Sequence, residues 1–119
     1  MARTLKFTGT LEYPLEDGQQ AAKAALSVSL AYTSALSIEK LYAVVATDEV
    51  VALPMTSAKF LLLQATGNDI DVKLNNSTAA ITLKAGAGFI VVWNSEGAIT
   101  GIKVTVGTVP ATLKGYAFA

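Results

Sequence analysis

Apolar and small polar residues alternate with a period of two along much of the chain, the signature of strands with one dry and one wet face. Val28, Leu30 and Tyr32 alternate with Ser27, Ser29 and Thr33. Ile70, Val72 and Leu74 alternate with Asp69, Asp71, Lys73 and Asn75, and Ile102, Val104 and Val106 with Lys103 and Thr105. Shorter pieces, Leu5/Phe7 among Thr4, Lys6 and Thr8 and Ile81/Leu83 among Thr82 and Lys84, read the same way. Three segments break the rule: residues 41–46, 60–63 and 89–93 are apolar at consecutive positions. A strand of that kind needs cover on both faces, from a second layer or from a partner.

Turn-forming residues punctuate the strands at short intervals, because Gly, Asn and Asp supply the positive φ angles of tight reversals. The reversals fall at Glu16-Asp17-Gly18, Thr47-Asp48-Glu49, Gly67-Asn68-Asp69, Asn75-Asn76-Ser77, Gly86-Ala87-Gly88, Asn94-Ser95-Glu96-Gly97 and Gly107-Thr108-Val109-Pro110. This spacing predicts an all-β fold, a jelly-roll-like sandwich or barrel of about 8–10 short antiparallel strands in a single domain over 1–119. At most one short helix is expected, at residues 19–26, where Gln and Ala dominate.

Composition narrows the function classes. Hydrophobic residues make up 52% and charged residues only 15%, which excludes disorder. Nine Lys+Arg balance nine Asp+Glu, so no basic excess exists to neutralise a phosphate backbone, and nucleic acid is not an expected partner. No apolar run approaches the about 20 residues that cross a bilayer as a helix, and the N-terminus lacks a signal-like apolar stretch. No membrane partner is expected, and synthesis in the cytoplasm is expected. The chain has no His and no Cys. Imidazole and thiolate chemistry are therefore unavailable, and no catalytic, cofactor-binding or metal site is expected.

Asp69 and Asp71, flanked by Asn68, Asn75 and Asn76, offer hard oxygen ligands suited to calcium, but the same residues suit a solvated strand face with turns at its ends. The solvated reading is preferred. Gly86-Ala87-Gly88 sits between strands rather than opening a helix, so it reads as a bend and not as a phosphate cradle. Trp93, Tyr13, Tyr32, Tyr42 and Tyr116 are candidates for a sugar-stacking platform, with core or interface packing the preferred role. Glu12, Glu16 and Asp17 cluster near the N-terminal loop without a cleft in view.

What remains is interfacial, and at this point the chain resembles the small all-β virion proteins of tailed bacteriophages, particularly capsid decoration or cement proteins. The likeness is carried by the segment ITLKAGAGFIVVW at 81–93, by NSEG at 94–97 and by PATLKGYAF at 110–118. It implies a non-enzymatic protein of the virion surface that binds the major capsid protein and stabilises the shell as a homo-oligomer, a trimer or dimer. A tail or head–tail accessory role, or a carbohydrate- or receptor-binding jelly roll, stands as the alternative. The expected interface residues are Leu61, Leu63, Ile90, Val92, Trp93, Tyr116 and Phe118.

Overall fold

The computed structural model describes residues 3–13, 22–94 and 97–119, with side chains omitted at 11–13 and 22–24. Among these residues there is no helix. The chain divides into two compact units, Met1–Thr33 and Ser34–Ala119. The first is a hairpin of β1 (Arg3–Tyr13) and β2 (Ala22–Tyr32), which form a two-stranded sheet. Register places Leu5 opposite Leu30 and Phe7 opposite Val28 on one face, with Lys6 opposite Ser29 and Thr8 opposite Ser27 on the other. The expected helix is instead strand from Ala22 onward, and residues 19–21 lie outside the described residues. Pairing of Ala22 with Tyr13 through Leu26 with Gly9 outweighs the helical propensity of the alanines.

Among its described residues the second unit carries eight strands: β3 (Ala35–Tyr42), β4 (Ala46–Val51), β5 (Phe60–Thr66), β6 (Ile70–Leu74), β7 (Ile81–Leu83), β8 (Phe89–Trp93), β9 (Ile102–Val106) and β10 (Ala111–Phe118). They pair as nested antiparallel partners, β6 with β7, β5 with β8, β4 with β9 and β3 with β10. The second half of the unit thus runs back along the first as one ribbon. Rolling that ribbon brings β10 against β5 and β9 against β6, which yields two four-stranded sheets ordered β3-β10-β5-β8 and β4-β9-β6-β7. Of the two expected forms, jelly-roll-like sandwich or barrel, this is the sandwich and not a closed barrel.

Alternation decides which side chains fill the space between the sheets. Ile38, Leu113, Ala117, Leu61, Leu63, Ala65 and Ile90 point inward from one sheet, and Val51, Ile102, Val104, Val106, Ile70, Val72 and Leu83 from the other. All belong to one buried cluster. Two expected elements are redrawn. Residues 41–46 do not form a both-face apolar strand: β3 ends at Tyr42, the chain bends, and Val44 and Val45 stand exposed before β4 begins. Thr47-Asp48-Glu49 is not a reversal either, because Asp48 takes a positive φ of 48° inside β4 and shifts the register there as a bulge.

The remaining described turns fall where expected. Gly86, at φ 70°, lets the β7–β8 reversal close, and its N–H donates to the Ala65 carbonyl at 3.0 Å. Asn75, at φ 58°, holds the β6–β7 turn against the segment before β9. Its side-chain amide donates to the Ala98 carbonyl at 2.9 Å, and its oxygen accepts from the Thr100 N–H at 2.8 Å.

Candidate assembly interface

The outer faces of the two sheets differ in chemistry. On the β4-β9-β6-β7 sheet, the outward phase presents Lys103, Thr105, Asp71, Lys73 and Thr82, with the exposed Val50 at its β4 edge. The polar residues are knit together: Thr82 donates to Asp71 at 2.6 Å, Lys73 to Asp48 at 3.0 Å, and the Asp48 N–H to the Thr105 hydroxyl at 3.1 Å. A polar cleft of about 390 Å³ opens beside them, lined by Asn68, Asp69, Asp71, Thr82, Thr105 and Thr108 among others.

Asp69 and Asp71, the calcium candidates, are committed to protein partners. Asp69 accepts from the Ala85 N–H at 2.9 Å and from the Lys84 ammonium at 3.0 Å. The Ala85 N–H first, and then Lys84, hold the Asp69 carboxyl below its usual range, and Lys73 does the same for Asp48. A carboxyl depressed in the folded state stabilises the fold above its unfolded pKa, and that contribution disappears as pH falls through the folded value. The melting temperature is therefore expected to decline below the ordinary carboxylate range of about 4. Asp69→Asn should remove part of that decline in melts recorded across acid pH, and identical acid profiles for variant and parent would contradict the assignment.

On the β3-β10-β5-β8 sheet the outward phase is apolar toward one end and charged toward the other. Direct antiparallel partners share a face. One row therefore runs Ala35, Phe118, Phe60 and Trp93, the next Ser37, Tyr116, Leu62 and Val91, and a third Glu39, Lys114, Gln64 and Phe89. Phe60 and Phe118 meet edge to face at a centroid distance of 6.0 Å, and Tyr116 stacks on Phe118 at 6.5 Å. Phe89, Tyr116 and Trp93 remain 64%, 50% and 42% exposed. One loose ion pair, Lys114 to Glu39 at 3.9 Å, sits beside them.

The expected interface residues divide between this face and the core. Trp93, Tyr116 and Phe118 belong to the outer face. Leu61, Leu63 and Ile90 do not: they point inward and are buried, and Val92 packs partly buried against the same core. The correction follows from phase. Gln64 pairs with Lys114 on the outer side, so residues two and four positions before it, Leu62 and Phe60, share that side, and Leu61 and Leu63 take the opposite one. Leu62, Val91, Phe89 and Phe60 are the outward-phase residues the sequence reading missed, and Phe60 is buried.

Among the aromatic candidates, Tyr42 is buried in the core under the Lys40 ammonium, which lies 5.1 Å from its ring. Burial, and then the nearby Glu49 carboxylate, push its hydroxyl up to about 12. Tyr32 lies on β2, within the hairpin unit. The Tyr13 and Glu12 side chains, and residues Glu16 and Asp17, lie outside the described residues. The geometry thus brings together a polar, self-paired face and an apolar, aromatic-rich face on opposite sides of one sandwich. No family model, no curated protein and no solved structure matches this chain.

Proposed function

We propose that this chain is a non-enzymatic structural protein that works by assembly, a capsid decoration protein seated on the outer surface of a tailed-phage head. The observation that carries this reading is the asymmetry of the sandwich. Soluble monomers rarely leave contiguous aromatic and aliphatic surface in water, and a sheet face bearing Phe89, Val91, Trp93, Leu62 and Tyr116 fits a protein partner. The major capsid protein is the partner the sequence resemblance implies. Jelly rolls also serve in lectins, and the exposure of Trp93 and Tyr116 on one face favours carbohydrate binding as the second reading.

Co-sedimentation with purified heads that lack the protein tests the proposal. The pair Trp93→Glu and Tyr116→Glu is expected to abolish pelleting with heads while the circular dichroism spectrum stays unchanged, because a carboxylate is costly to bury without a partner. Val50→Glu, an exposed site on the opposite sheet, should pellet like the parent. Undiminished pelleting of the double variant would overturn the reading and bring oligosaccharide binding forward.

A further inference from the structure

Among the described residues the sandwich has four edge strands, and three of them carry devices that block the addition of another strand. On β3 and β4, Lys40 and Glu49 occupy the inward phase, opposite Leu113 and Val104, and pair with each other at 3.3 Å across the gap between the sheets. β4 is also bulged at Asp48. β7 is only three residues long. The fourth edge, β8, reads Phe89-Ile90-Val91-Val92-Trp93 and has no charge, no proline and no break in register with β5. Alternate N–H and C=O groups of such a strand point away from its single partner.

We propose that the free edge of β8 receives β8 of a second copy, antiparallel, so that two β3-β10-β5-β8 sheets join into one eight-stranded sheet. The segment is complementary to itself about Val91. A two-fold axis there sets Val91 against its own counterpart, Ile90 against Val92, and Phe89 against Trp93, giving two aromatic cross-strand pairs per dimer. The outer-face rows then continue through the junction, with Tyr116, Leu62 and Val91 meeting Val91, Leu62 and Tyr116 of the copy. With aromatic side chains burying about 150–250 Å² each, the exposed parts of Phe89 and Trp93 leave on the order of 200 Å² per copy for the junction to draw on. Main-chain hydrogen bonds supply the rest, as in other strand additions. No acidic or basic side chain in β8 opposes the approach. The inference stands on the strand edge and does not depend on head binding, so loss of one leaves the other standing.

Light scattering across a concentration series should show the mass rising from 12.3 kDa toward twice that value. Val91→Lys and Val91→Glu should each hold the chain at the monomer mass, because like charges then face each other at the axis. An equimolar mixture of the two should recover the dimer. Hydrogen exchange on the unmodified chain gives a second reading: amides of β8 that point away from β5 should gain protection as concentration rises. A parent chain that stays at 12.3 kDa throughout, variants that dimerise like the parent, a mixture that remains monomeric, or β8 amides indifferent to concentration would each overturn the proposal.

Discussion

Leu61→Asp is expected to leave no folded protein. Leu61 is fully buried on the inward face of β5, opposite Ala117 of β10 and Val92 of β8. Truncating such a leucine alone costs about 2–5 kcal/mol through lost transfer energy and the cavity left behind. The carboxylate adds a further penalty, because among the described residues the buried set is wholly apolar and holds no cation to receive it. Against a total stability of about 5–15 kcal/mol for a domain, the sum is decisive. Circular dichroism and a thermal melt provide the check: the expected result is loss of the cooperative transition. A transition within a few degrees of the parent would mean that β5 faces the other way, and the division between core and outer face would fail with it.

Gly115→Ala is the second change with a large expected effect, although it adds a single methyl group. Gly115 lies on β10 between Ile38 of β3 and Leu63 of β5, at the centre of its sheet. A Cβ built there collides with the Leu62 carbonyl and comes within 3.1 Å of a Leu63 methyl. The carbonyl belongs to a paired strand and cannot withdraw without disturbing the register of both neighbours. The loss is expected to exceed about 3 kcal/mol, in the range reserved for backbone collisions and overpacking. Urea denaturation should show a lower midpoint with an unchanged slope. A midpoint equal to the parent's would show that β10 and β5 are spaced more widely than described.

Much of this fold is visible in the period-two pattern, and the places where reading failed have identifiable causes. The alternations at Ile70/Val72/Leu74 and Ile102/Val104/Val106 set both phase and face, because charged or hydroxylated residues mark every outward position. On β5 and β8 the consecutive apolar residues erase that mark. Phase there is inherited from neighbours: Lys114 on β10 points outward, its partner Gln64 follows, and Leu61 and Leu63 are left to the core beside the small residues Ala117 and Gly115. Which strand neighbours β5 is a property of the rolled ribbon and is written in no local pattern. The apolar run at 41–46 misled for a related reason, since hydrophobicity alone does not separate a strand from a bend whose tip, Val44, stands in water. The alanines of β2 misled because intrinsic propensity is weak beside eleven residues of strand pairing.

The central proposal is that the apolar end of the outer face of the β3-β10-β5-β8 sheet is the head-binding surface, and the chain carries its own reporter there. Trp93 is the single tryptophan, it lies on that face, and it is 42% exposed. Its emission and its quenching by acrylamide, followed as the protein is added to purified heads, test the claim directly. A shift of emission to shorter wavelength with reduced quenching is the predicted result, because assembly removes the indole from water. Assembly that proceeds with Trp93 emission and quenching unchanged would contradict the account.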